Sequence, residues 1–138
     1  MEEEINFSTL TEKVIRAAYT VHNTLGPGFL EKVYENAMLI ELREAGLRAE
    51  SQYPVKVLYK GFIVGDYTAD LFIEDVLIVE LKAVENLSAA HEVQLVNYLS
   101  GTSKEHGLLI NFGSSVTVRH KYKTYRKPDK RTIRKRSL

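Results

Sequence analysis

The chain reads as a mixed α/β domain: two helices, a three-stranded antiparallel meander, a third helix, a buried strand and an edge strand. Three observations predict this. Apolar residues recur at helical spacing over the first 45 residues, and three β-type segments joined by tight turns follow between residues 50 and 82. His106 to Phe112 is then a short, nearly all-apolar run of the kind buried on both faces of a sheet.

Thr9 followed by Glu12 has the pattern of a capping box, and Leu10, Val14, Ala17, Ala18, Val21 and Leu25 continue at helical spacing, so helix one is predicted to run to about Asn23. Gly26-Pro27-Gly28 breaks it. A second amphipathic helix is expected from about Leu30 to Ala45, with Gly46 as its left-handed stop. Residues 50–59 and 62–73 flank a Lys60-Gly61 turn, and 76–82 give the third strand. Ser88 is a natural N-cap for helix three, which carries Val93, Val96 and Leu99 and ends at Gly101. A helix between strand three and the 106–112 strand implies a right-handed parallel crossover, and Val116 to Tyr122 adds an edge strand.

At 138 residues and 44% hydrophobic composition, one domain over residues 1–122 buries an adequate core without a staple. The absence of cysteine excludes disulfides, thiolate metal sites and cysteine nucleophiles, and fits a reducing cytoplasm. No apolar run approaches the ~20 residues that span a bilayer, and the acidic N-terminus lacks the pattern of a secretion signal. A soluble, cytoplasmic protein without membrane contact is expected. Charge divides along the chain: residues 1–118 hold 9 Lys/Arg against 17 Asp/Glu, whereas residues 119–138 hold 10 Lys/Arg against Asp129 alone. The tail over 123–138 is therefore either a solvated, disordered terminus or a polyanion-binding arm.

The chemistry concentrates on two short acidic strands, around Asp70 in TADLFI and Glu80-Leu81-Lys82 in VLIVELK. An odd loop between them, such as Glu74-Asp75-Val76, sets Asp70 opposite Glu80 and Thr68 opposite Lys82, so two carboxylates and an ammonium share one face. Ala69, Leu71, Ile73, Leu77, Val79 and Leu81 then form a buried apolar face. An even loop sends Asp70 and Glu80 to opposite faces and abolishes the site. Hard cations such as Mg²⁺ or Mn²⁺ take oxygen ligands, which Asp70, Glu80 and the Leu81 carbonyl supply, and a cation there serves phosphodiester hydrolysis with Lys82 offsetting charge on the phosphate. Taken alone, an E-x-K on a strand is more often a solvated ion pair. Asp70 shifts that balance, because an aspartate interrupting an apolar strand needs a partner or a metal.

Gly28-Phe29-Leu30-Glu31-Lys32-Val33-Tyr34 fits a G-x-x-E-x-x-Y pattern, followed by ADLFI, VELKAVE, HEVQLVNYL and GLLINFG. In that order these motifs resemble the bacterial and archaeal GxxExxY-type proteins, a branch of the PD-(D/E)XK nuclease-like superfamily, over about residues 8–118. The resemblance implies a restriction-endonuclease-like core and a metal-dependent nuclease acting on nucleic acid, DNA before RNA. It places the metal carboxylates on Asp70 and Glu80, the lysine on Lys82, a helical glutamate on Glu31, and a Q-x-x-x-Y element on Gln94 and Tyr98. Ala69 stands where the motif's proline is absent. His91, one turn before Gln94, is either a phosphate contact or a packing residue, and Tyr34 and Tyr98 are either site walls or core. The competing reading is a non-catalytic module that keeps the core and grips nucleic acid or a protein. An exposed edge strand and the apolar first helix also permit a homodimer.

Overall fold

The computed structural model describes residues 6–100 and 106–122. Its elements follow the predicted order: α1 (Phe7–Leu25), α2 (Glu31–Glu44), β1 (Ala49–Tyr59), β2 (Phe62–Ile73), β3 (Leu77–Lys82), α3 (Ala89–Ser100), β4 (His106–Phe112) and β5 (Val116–Tyr122). The expected stop at Gly101 and the basic tail over 123–138 lie outside the described residues.

The start of α1 departs from expectation. Asn6, not Thr9, is the N-cap, and its Oδ1 accepts the N–H of Thr9 at 3.1 Å. Asparagine is the stronger cap, and Glu12, released from a capping box, pairs with Arg16 on the exposed side at 2.9 Å. Helix α2 stops as predicted. Gly46 sits at φ 83, its N–H reaches the Arg43 carbonyl at 3.0 Å, and the N–H of Leu47 reaches that of Leu42 at 3.0 Å, the two bonds of a Schellman cap.

The turn between α1 and α2 is pinned by Tyr34. Its hydroxyl donates to the Gly26 carbonyl at 2.6 Å and accepts the N–H of Phe29 at 3.3 Å, while its ring stacks on Phe112 with centroids 4.5 Å apart. Gly28, at φ 103, lies within the span so held. The turn therefore hangs from a fully buried core residue. Tyr34→Phe keeps the ring and strips both hydrogen bonds, so it is expected to cost about 1–2 kcal/mol, read as a lower melting temperature. An unchanged melting temperature would show that the hydroxyl does not hold the turn.

The five strands form one sheet in the order β1-β2-β3-β4-β5, antiparallel throughout except for the parallel pair β3 and β4. Leu71, Ile73, Leu77, Val79, Leu81, Leu108 and Ile110 pack against α1 and α2 on one side. Val55, Ala69, Phe72, Ile78 and Leu109 pack with Leu95 and Leu99 of α3 on the other. Apart from Ala69, the predicted apolar face of β2 and β3 holds. Ala69 joins the α3 side, as does Tyr67, so β2 exchanges the faces of its odd-numbered residues at Asp70. The cause lies across the ladder: Ser51 pairs with Leu71 and Tyr53 with Ala69, and Gln52 between them adopts φ 54. A positive φ at a non-glycine residue breaks the pleat and lets the sheet turn over at this point.

Candidate functional site

The loop joining β2 to β3 is Glu74-Asp75-Val76, odd as the site requires. Leu71 pairs with Val79, Phe72 with Ile78 and Ile73 with Leu77, and one further step of that register sets Asp70 opposite Glu80. Arg48 clamps the loop: its N–H donates to Glu74 Oε2 at 2.6 Å, its carbonyl accepts the Glu74 N–H at 2.9 Å, and its guanidinium pairs with Asp75 at 3.2 Å. Backbone pairing of β2 with β3 stops at Leu71 and Val79. Beyond it, Asp70 Oδ2 accepts the N–H of Leu81 at 2.7 Å, so a carboxylate takes up the ladder's next donor. Thr68, expected opposite Lys82, is paired with Pro54 on the β1 side but not with Lys82, because pairing of β2 with β3 ends at Leu71 and Val79.

The two carboxyl groups are in an unfavourable medium. Burial first, then the charge of Asp70, pushes Glu80 up to about 8, against the partial relief of Lys82. Glu80 Oε1 is sealed from solvent without a hydrogen-bond partner. Asp70 is also raised, chiefly by burial and then by Glu35, although the Leu81 N–H, Glu80 and Lys82 pull it down. At neutral pH Glu80 therefore keeps its proton, and burial works against the charge of Asp70 as well.

Two residues outside the expected set complete the surroundings. Glu35 on α2 is buried, held by Lys32 Nζ at 2.8 Å and by Gln52 Nε2 at 2.8 Å, and its charge acts on Asp70. The strained Gln52 thus both breaks the pleat beside Asp70 and aims the α2 carboxylate. Tyr67 stacks on Tyr98 of α3 with centroids 3.3 Å apart, and its hydroxyl is buried without a hydrogen-bond partner. Burial, then Glu80, Tyr98 and Asp70, push its phenol up, so it stays neutral.

A sequence signal existed for Glu35, which sits three and seven residues before the buried Met38 and Leu42 and therefore on the apolar stripe. None existed for Tyr67, since strict alternation sends it to the face opposite Asp70.

The remaining candidates are distributed as follows. Lys82 is half-buried and close enough to lower both carboxyl groups. Leu81 is buried in the core with its N–H committed to Asp70. Glu31 is exposed on the first turn of α2, and Gln94 is exposed on α3. Tyr98 reaches the carboxylates through Tyr67. His91 closes the N-terminus of α3: its Nδ1 accepts the Ser88 N–H at 3.1 Å while its own N–H points to Ser88 Oγ at 3.4 Å.

A paired D and E-x-K across a hairpin, on a mixed sheet flanked by helices, has a counterpart among known proteins. The family model of the PD-(D/E)XK nuclease superfamily matches residues 8–125. The chain belongs to that superfamily. The crystal structure of SSO0001 superposes with a TM-score of 0.50 at 19% identity, covering 93% of this chain and 63% of the other, so the chain spans under two thirds of that protein. This likeness supports the restriction-endonuclease-like fold. No curated protein sequence matches.

PD-(D/E)XK nucleases generally use divalent metals, and the donors here fit one. Glu80 Oε1, buried without a hydrogen-bond partner, is an oxygen donor of the kind a hard cation takes, and Asp70 offers a second carboxylate beside it. Among the described residues no group of three or more His, Cys, Asp or Glu is gathered to hold a metal. Two protein carboxylates with water and substrate phosphate filling the remainder is the pattern of Mg²⁺ rather than of zinc. No helix among the described residues is long and apolar enough to cross a membrane.

Proposed function

We propose that this PD-(D/E)XK protein, of the GxxExxY branch, is a Mg²⁺- or Mn²⁺-dependent nuclease hydrolysing phosphodiester bonds, with DNA the substrate to test first. The observation that carries the reading is the meeting of Asp70 and Glu80 across the hairpin, with one Glu80 oxygen buried and unpartnered. Asp70, Glu80 and the Leu81 carbonyl hold the cation, which when bound supplies Lewis acidity toward the phosphate and a more acidic water. Helix α2 adds a carboxylate: Glu31 is the motif position, and the burial of Glu35 and its action on Asp70 favour Glu35.

Lys82 sets its ammonium beside the pair, where it offsets negative charge accumulating on the phosphate. Tyr67 and Tyr98 wall the α3 side as one stacked surface, and Gln94, one turn away on α3, orients substrate from the exposed rim. His91 secures the start of α3. The body of the domain is acidic and repels a phosphate backbone, so the cation and the basic residues of 123–138 bring nucleic acid to it.

The test is incubation of the full chain with duplex DNA, single-stranded DNA and RNA in Mg²⁺ or Mn²⁺. Cleavage that needs the metal and disappears in Asp70→Asn is expected. Cleavage undiminished in that variant, or equal in chelator, overturns the assignment.

A further inference from the structure

The far end of the β1–β2 hairpin is apolar and uncovered. Leu58, Tyr59, Phe62, Ile63 and Val64 are 54%, 61%, 74%, 59% and 60% exposed, around a tight Lys60-Gly61 turn with both residues at positive φ. The pairs are Leu58 with Ile63 and Tyr59 with Phe62, adjacent rungs whose side chains point to opposite faces. A register shift at Val57 and Leu58 inserts Val64 as the extra residue and turns this tip relative to the rest of the sheet. The tip is apolar on both faces, unlike the half-buried strands below it.

We infer that this hairpin is a self-association surface, and that its partner is the same hairpin of a second copy of the chain. Five large side chains, each more than half exposed, leave roughly 500 Å² of apolar surface, near the top of the range for a monomer's largest patch. Two such tips brought together cover one face of each, roughly 500 Å² of apolar surface in all, and pairing along the margin of the sheet adds to it.

The edge of the sheet points the same way. Strand β1 pairs with β2 alone and forms the margin of the sheet. Pro54 lacks the N–H that an incoming strand would need and protects the inner part of that margin. From Val55 to Tyr59 the one charge is Lys56, and Asp66 across the ladder neutralises it at 2.7 Å. The guard of the edge is thus lifted where the apolar tip begins.

Nucleic acid is the poorer occupant. Residues 55–67 carry Lys56, Lys60 and Asp66, a net charge of +1, and a hairpin wedging into a duplex needs several cations against phosphate. A two-fold pairing needs none, because the patch is complementary to itself. The inference does not depend on whether the Asp70 site is catalytic.

Sedimentation equilibrium on the full chain tests it. A concentration-dependent dimer with a dissociation constant of about 1–50 μM is expected, weakened at least ~10-fold by Phe62→Ser or Ile63→Asp at an unchanged melting temperature. Because the chain has no cysteine, Lys60→Cys gives a single thiol at the tip, and rapid formation of a disulfide-linked dimer under mild oxidation is the second expected result. A wild-type chain that stays monomeric at about 200 μM, or a dimer indifferent to both substitutions, overturns the proposal. A monomer whose oligonucleotide affinity falls with Phe62→Ser overturns it in favour of nucleic acid.

Discussion

Glu80→Gln is expected to make the metal-free protein more stable at alkaline pH, although it removes a residue of the proposed metal site. In the folded chain Glu80 keeps its proton to about pH 8, whereas the unfolded chain releases it near the ordinary value of 4.5. Below about 4.5 both states hold the proton and its contribution is complete. As pH rises through 8 the folded state must ionise a buried carboxyl beside Asp70, and that contribution is lost. The amide of glutamine mimics the protonated form at every pH. In chelator at pH 9 the variant should exceed wild type by on the order of 2–4 kcal/mol, seen as a melting temperature higher by roughly 5–15 °C, with the gap closing below about pH 5.

Adding Mn²⁺ is expected to reverse the ranking. A cation bound between Asp70 and Glu80 displaces the proton, so wild type gains stability with metal concentration and more so at higher pH, whereas Glu80→Gln gains little. Thermal melts at pH 5, 7 and 9, with and without metal, check both halves. Equal stabilisation of the two proteins by Mn²⁺ would remove Glu80 from the metal site, and a variant no more stable than wild type at pH 9 would show that the buried charge costs nothing.

Element order and the pairing of Asp70 with Glu80 were legible because they rest on local rules: periodicity, turn residues and the parity of one three-residue loop. Gly46 and Ser88 stop and start their helices as their chemistry dictates. What was not legible is tertiary. Strict alternation assigned Ala69 to a face that the structure exchanges, because Gln52 breaks the pleat on the neighbouring strand, and no rule of sequence puts a glutamine at φ 54. The same break brings Tyr67 to the carboxylates. Glu35 is a different case: a glutamate on the stripe of Met38 and Leu42 is a visible anomaly, but its partner Gln52 lies 17 residues on in another element. Local inconsistency of this kind is expected where a site is built, and Gln52, Glu35 and Glu80 all belong to one neighbourhood.

On the proposed function, removal of Lys82 should separate cation binding from catalysis and have the largest effect on rate. Its charge favours the ionised forms of both Asp70 and Glu80, so in Lys82→Ala Glu80 ionises at still higher pH and the onset of Mn²⁺ binding moves upward with it. Above that onset, affinity should match or exceed wild type, since a competing positive charge has gone from beside the carboxylates. Cleavage should not recover. Loss of one positioned cation from a water-poor site costs about 10²–10³-fold in rate, and Lys82→Arg, which restores charge with a planar and bulkier head, should regain only part. Single-turnover cleavage and Mn²⁺ calorimetry on the same preparations, at pH 7 and 9, resolve the two effects. Were Lys82→Ala to cut at the wild-type rate at either pH, the ammonium would have no part in the chemistry; were it to lose Mn²⁺ binding at pH 9 as well, its role would be to hold the carboxylates in place.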